Sequence, residues 1–295
     1  MKFDIIIPCW NTGDLLCRAL QSVLDQTHKD YEVYVIDGSP NEGDKEYFDK
    51  TVNDDDRFHY MVQDKDKHPY AAGARNQGVA AGNSTHIAFL DSDDRWYKEH
   101  LGLHDLEWSF EDNSSLIWSG LEADIGLESA FTGKEVIMRH RACFYAYELP
   151  KLPKDSRWMW GAYLFGLVMV PTNITVSRTA FEGINGFPIL RYHEDKLMQT
   201  RIIHANPNVR CIEEITCYAD WHREGKVSGT LFGQVNTAPA ECQELFEEHS
   251  NLSADMLKPY AQEFLDTHGE TFHLSTHNPL WDDISRLCKR VVEGN

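Results

Sequence analysis

The chain has 295 residues, 42% of them hydrophobic and 25% charged, which suits one large α/β domain or one domain with a small appendage. Its 28 basic and 47 acidic residues give a formal charge of -19, so most of the surface repels a polyanion and sequence-independent nucleic-acid binding is disfavoured, while one cleft can still hold a diphosphate. No apolar run approaches the ~20 residues that cross a bilayer, and the start lacks the basic-then-apolar pattern of a leader.

Residues 3–7, Phe-Asp-Ile-Ile-Ile, predict a buried strand that Pro8 ends. Asn11 or Thr12 can cap a helix whose apolar positions Leu15, Leu16, Ala19, Leu20, Val23 and Leu24 recur at helical spacing. Residues 32–36 predict a second strand, closed by the turn Asp37-Gly38-Ser39-Pro40, and residues 58–62 a third. Residues 71–81 predict a helix stopped by Gly82. Residues 86–90 predict a fourth strand, which runs into Asp91-Ser92-Asp93-Asp94. The stretch 120–170 is aromatic and irregular, with Trp158, Trp160, Tyr163 and Phe165. Beyond it the pattern predicts a strand at 172–176, a helix at 194–204 and one or two strands within 208–218. The remaining tail reads as helical, broken at Pro259 and Pro279.

Strands alternating with helices imply a parallel sheet, and ligands of such sheets sit beyond the carboxyl ends of the strands. Asn11, Asp37 and Asp91 each follow a predicted strand, so three polar positions fall on one sheet edge. Crowded carboxylates such as Asp91, Asp93 and Asp94 repel one another unless they share a cation, and oxygen-only donors suit Mg2+ or Mn2+ bridging to a phosphate. A solvated acidic turn that caps the next helix is the other reading of the same residues. The seven cysteines include no C-x-x-C pair and suit a reducing compartment, so a cytoplasmic location is expected.

The ordered series Ile5-Ile6-Ile7-Pro8-Cys9-Trp10-Asn11, Ser22-Val23-Leu24-Asp25-Gln26-Thr27, Val35-Ile36-Asp37-Gly38-Ser39, Ala74-Arg75-Asn76-Gln77-Gly78, Ile87-Ala88-Phe89-Leu90-Asp91-Ser92-Asp93-Asp94, and Asn185-Gly186-Phe187 before Glu194-Asp195 resembles glycosyltransferase family 2 over about residues 3–228. The resemblance implies a GT-A type fold, a Rossmann-like α/β/α sandwich with a mainly parallel sheet. It divides the chain into a transferase domain at 1–230, with a nucleotide-binding half to about 115 and an acceptor-binding half from 116, and a C-terminal helical extension at 231–295. It also implies an inverting, metal-dependent, non-processive transfer of a sugar from a nucleotide-sugar, a UDP-sugar being favoured, to a glycan or lipid-linked hydroxyl.

By the same resemblance Pro8, Trp10, Asn11 and Asp37 line the nucleoside pocket, and Arg75 approaches the base or the diphosphate. Asp91, with Ser92 beside it, holds the ribose or metal region, Asp93 ligates Mn2+ or Mg2+, His222 touches the diphosphate or ligates that metal, and Asp195 is the catalytic base with Glu194 beside it. Two features depart from the family pattern: a single acid, Asp37, precedes Gly38 where two are common, and the Q-x-x-R-W motif of processive synthases is absent. Each role has a structural counterpart: Trp10 as core, Arg75 as a solvated charge, His222 as a packing residue, and Glu194-Asp195 as a helix start that favours acids. Trp158 and Trp160 offer flat faces for an acceptor sugar or fill a core.

A sugar-nucleotide pyrophosphorylase is disfavoured because Pro8-Cys9-Trp10-Asn11 stands where a glycine-rich phosphate loop belongs. A non-catalytic binder on a degenerate transferase fold is disfavoured because every acid the chemistry needs is present. In the tail, Trp281, Ile284, Leu287, Cys288 and Val291 make one apolar stripe. It is suited to packing on the domain, to a homo-oligomer or to peripheral membrane contact.

Overall fold

A computed structural model describes residues 1–110, 113–128, 135–140, 170–190, 194–206 and 208–220, together with the single positions 262 and 293. Strands β1 (Phe3–Cys9), β2 (Tyr31–Asp37), β3 (Phe58–Val62) and β4 (His86–Phe89) alternate with helices α1 (Asp14–Leu24), α2 (Lys45–Val52) and α3 (Tyr70–Ala81). Then follow β5 (Arg95–Trp96), α4 (His100–Trp108), β6 (Leu116–Glu128), β7 (Glu135–His140), β8 (Ile174–Ser177), α5 (Arg178–Gly183), α6 (Glu194–Ala205) and β9 (Val209–Asp220). They form one sheet in the order β3-β2-β1-β4-β8-β6-β9-β5, with β7 beside β6.

The first four strands are parallel, as the alternation predicts. Beyond β4 the sheet is mixed: β8 runs antiparallel to β4 and β6, while β6 and β9 run parallel. The antiparallel entry of β8 lets the chain return to the carboxyl end of β4, so both halves contribute to one edge.

Period-2 alternation sorts the core into two layers. Ile5, Ile7, Val33, Val35, Ala88 and Leu90 face α1, α2 and α4 through Leu16, Leu20, Phe48 and Leu101. On the other face α3 lies close against the sheet. A Cβ on Gly78 would come within 2.6 Å of Ile6 Cγ2, so the helix presents small residues there. Phe89 meets Phe181 and Phe187 on that same face.

Pro8 does not end β1; it lies inside the strand, paired with Ile36. The carbonyl of Ile6 accepts from Leu90 on the β4 side. Pro8 shares that orientation, and β4 has stopped by that level, so the missing N–H costs no ladder bond. Nor do Asn11 and Thr12 cap α1. The buried Asp44 instead holds the loop just before the helix, accepting from the amides of Thr12 and Gly13, both at 2.8 Å.

Helix α4 was not legible as a helix, because its inward face is His100, His104 and Trp108. His100 Nδ1 lies 2.7 Å from Thr216 Oγ1 and His104 Nδ1 lies 2.8 Å from Thr175 Oγ1. Trp96 stacks on His100, and the two imidazoles are 4.3 Å apart, fully buried. Their Nε2 atoms have no partner among the described residues. Cys9, Cys17 and Cys217 are free thiols. No helix among the described residues is long and apolar enough to cross a membrane. The helical extension expected at 231–295 lies outside the described residues, apart from the isolated helical positions 262 and 293.

Candidate active site

The carboxyl ends of β1, β2 and β4 open on one edge. There the Gly38 amide donates to the Cys9 carbonyl at 3.0 Å, which joins the first two strand ends. Asn11 takes a left-handed backbone, φ 49°, which asparagine tolerates. Its amide donates to Ser39 Oγ at 2.7 Å. The Trp10 ring is 57% exposed, which rules out the core reading, and Lys65 Nζ stands 4.3 Å over it. Pro8 is half-buried behind them.

Asp37 is placed inside the protein. It is buried and accepts from the amides of Ser39 at 2.6 Å and Asp44 at 3.2 Å, and from the Tyr60 hydroxyl. Burial alone would raise its pKa, but these donors outweigh it and hold the carboxyl below the usual range. Burial together with Asp37 pushes the Tyr60 phenol up in turn. Cys9, Asp37 and Asp44 come close enough to hold a cation. The two carboxylates there are engaged by amide and hydroxyl donors, so the cluster organises the loop from Gly38 to Asp44.

The acidic turn after β4 splits by direction. The Asp94 amide donates to the Asp91 carbonyl at 3.0 Å, closing the turn. Asp94 is buried; it accepts from Thr172 Oγ1 at 2.6 Å and from the Asp220 amide at 3.1 Å, which fixes the turn to β9. Ser92 is buried as well, 3.1 Å from Thr12 Oγ1. Asp91 and Asp93 remain partly exposed. Two partly exposed carboxylates at a strand end form a hard, oxygen-only donor set that fits Mg2+ or Mn2+.

Arg75 does not lie on the surface as a solvated charge. It is 4% exposed on the inner face of α3. Its Nη2 donates to Asp91 Oδ1 at 2.6 Å and its Nη1 to Glu194 Oε1 at 2.9 Å. One guanidinium therefore ties the acidic turn to the start of α6. Burial, then the adjacent Asp195, pushes Glu194 up to about 7 despite the pull of Arg75. Asp195 is half-buried beside it, in the first turn of α6, where acids favour the helix end.

The buried imidazoles and Glu194 act in opposite directions on stability. Burial holds His104 down to about 3, His86 down to about 4 and His100 well below its ordinary value. Below an unfolded-state pKa of about 6.5 the unfolded chain takes up protons that the folded protein refuses. Glu194, raised when folded, offsets one of these groups. Stability should be flat between about pH 7 and 8, above which burial of the Cys9 and Cys217 thiols begins to favour the unfolded chain. It should fall between about 6.5 and 4.5 with a net slope of roughly 2–3 kcal/mol per pH unit. Urea midpoints at pH 7.5 and 5.5 check this; equal midpoints would mean that the imidazoles gain protons inside the fold.

His222, Trp158 and Trp160 lie outside the described residues. The structure adds Asp44, Lys65, Asn76 and Thr172 to the neighbourhood, and it gives Glu194, expected only beside Asp195, a partner in Arg75.

Residues 4–111 match the model of "Glycosyl transferase family 2". TuaG of Bacillus subtilis (strain 168), named as a teichuronic acid biosynthesis glycosyltransferase, is 30% identical over 117 residues, 40% of this chain and 45% of that protein. TarP of Staphylococcus aureus (strain N315), a poly(ribitol-phosphate) beta-N-acetylglucosaminyltransferase, is 34% identical over 122 residues, 39% of this chain and 35% of that protein. This chain thus spans less than half the length of these curated relatives. In fold it is similar to residues 1-349 of S. aureus TarS in complex with UDP-GlcNAc. The TM-score is 0.62 at 16% identity, over 99% of this chain and 82% of that one. A mannosyltransferase from Pyrobaculum calidifontis in complex with GDP-Man and Mn2+ gives a TM-score of 0.52 at 13% identity, over 98% and 69% of the two chains.

Proposed function

From a chain that belongs to glycosyltransferase family 2 through residues 4–111, we propose an inverting, non-processive transfer of a sugar from a nucleotide-sugar to a hydroxyl of a glycan or lipid-linked acceptor. The observation that carries this reading is the single buried guanidinium of Arg75, which joins the acid turn at the end of β4 to the acid pair that opens α6. That tie brings a leaving-group site and a proton acceptor to one sheet edge, the two parts a direct displacement needs.

Trp10 offers an exposed aromatic face to the nucleobase, with Pro8 and Asn11 as the wall beside it. Asp37 acts through the loop it holds, from Ser39 to Asp44. Asp93, with Asp91 beside it and His222 as a further expected ligand, would hold Mn2+ or Mg2+. Such a cation, when bound, neutralises charge on the departing diphosphate. Asp195 takes the proton from the acceptor hydroxyl as its oxygen bonds to the anomeric carbon. The bond from that carbon to the diphosphate oxygen breaks, and its electron pair leaves with the nucleotide. One displacement inverts the anomeric configuration. A UDP-sugar is the favoured donor, and the complex of TarS with UDP-GlcNAc supports it.

Nucleotide release from UDP- and GDP-sugars, with and without Mn2+, tests the reading; silence toward both donor classes in both conditions would reject it. The metal assignment has its own test. Asp93→Ala should lower affinity for UDP with Mn2+ by more than the ~10–100-fold that an outer-shell change costs, with the melting temperature close to wild type. Undiminished affinity in calorimetry would move the ligand role off Asp93.

A further inference from the structure

The two halves of the site are joined by a second contact that none of the expected roles uses. Asn76 follows Arg75 on α3, and its side-chain amide makes a reciprocal pair of bonds with one backbone unit. Nδ2 donates to the Phe187 carbonyl at 2.8 Å, and Oδ1 accepts from the Phe187 amide at 2.9 Å. Gly186 makes room for this approach. Its φ is +72°, and a Cβ there would sit 2.7 Å from Asn76 Oδ1. The Phe187 ring is buried and lies 5.2 Å from the Arg75 guanidinium, and its other neighbours are Phe89 and Phe181. Two consecutive residues of α3 thus grip the segment that leads into α6, Asn76 by its backbone and Arg75 by the carboxylate of Glu194.

We infer that Arg75 and Asn76 are a positioning pair, which sets the place of Asp195 relative to the acidic turn after β4 and does not itself touch the donor. The inference rests on the proposed transfer reaction and deepens it. Arg75 points into the protein: both terminal nitrogens are spent on Asp91 and Glu194, and its buried Nε has no partner among the described residues. A residue that reads the base or the diphosphate would present a nitrogen to the open edge. Asn76 is fitted to its task by having one donor and one acceptor a backbone unit apart; aspartate keeps only the acceptor, and alanine keeps neither. Arg75 is fitted by its fork, which lysine, a point charge, cannot copy at two carboxylates at once.

The test uses the full chain with Asn76→Ala, Asn76→Asp and Arg75→Lys. Asn76→Ala should lower kcat by about 10²-fold, the scale of a displaced catalytic group. Donor KM and UDP affinity should stay within about threefold. Asn76→Asp should fall between Ala and wild type, and it carries the test if the alanine variant does not fold. Arg75→Lys should lower kcat with the same small change in UDP affinity. Hydrogen exchange over α6 should quicken in all three. An unchanged kcat in Asn76→Ala overturns the inference. So does a loss confined to UDP affinity in Arg75→Lys, which would make Arg75 a donor contact. If the wild-type chain turns over no nucleotide-sugar, the function reading fails by itself. The exchange of α6 then decides: quickening upholds the grip on that helix, and no change overturns it.

Discussion

Asp195→Asn is expected to lower turnover by about 10²–10⁴-fold, the usual worth of a positioned general base, while UDP affinity stays within a few-fold of wild type. The side chain is half-buried in the first turn of α6, next to a glutamate already engaged by Arg75. Of the two acids, Asp195 is the one left to meet an acceptor. Asparagine keeps the size and the polar contacts but takes no proton at neutral pH. If the pair served only to start the helix, the same change would lower the melting temperature and leave turnover of the folded enzyme intact. Proton NMR of the product adds an independent arm: a retained anomeric configuration would reject single displacement whatever the variant does.

Arg178→Ala is expected to destabilise the fold by about 3–5 kcal/mol, the cost of stripping one partner from a buried ion pair. Asp4 is fully buried in β1 and meets Arg178 Nη2 at 2.6 Å. It also accepts from the Ser84 amide at 2.9 Å and hydroxyl at 2.6 Å. Arg178 further donates to the carbonyls of Ser84 at 2.6 Å and Val79 at 3.0 Å. One side chain therefore pins β1, the end of α3, the start of β4 and the start of α5, at the sheet edge away from the acids. Paired removal in Asp4→Asn with Arg178→Met should recover part of the loss, since no charge is then left buried. Urea unfolding measures both; a cost below about 1 kcal/mol for the single variant would show that water reaches Asp4.

The elements read most directly from sequence were those with a local hydrophobic period. β3 matches its predicted residues, and β2, β4 and α3 depart from theirs by no more than a residue at either end. Helix α2 escaped notice because its buried side chains are only Phe48 and Val52. Helix α4 escaped because its core face is built from imidazole and indole rings held by threonine hydroxyls, which hydropathy counts as polar. The acidic turn and the acid pair were legible because each is a compact local pattern. The partners that orient them were not: Thr172 reaches Asp94 across 78 positions, and Asn76 reaches Phe187 across 111. Asp37 shows the limit of a local reading. Its place at a strand end suggested a donor contact, yet its oxygens are turned to the loop that follows.

Beside the side-chain pairs Arg75–Glu194 and Thr172–Asp94, three ties across the acid-bearing edge share a property that bears on how such chains diverge. Asn76 grips the backbone of Phe187, Asp94 takes the amide of Asp220, and Trp96 Nε1 donates to the carbonyl of Thr172. In each, a side chain from the first 110 residues is met by main chain from the second half. A backbone group survives almost any substitution at its own position, so the later strands can drift in sequence without undocking. The family-model match stops at residue 111, whereas likeness in fold to TarS extends over 99% of the chain. Apart from Thr172 and the acid pair Glu194-Asp195, the side chains described at this edge come from the first half, and the second need only keep its path.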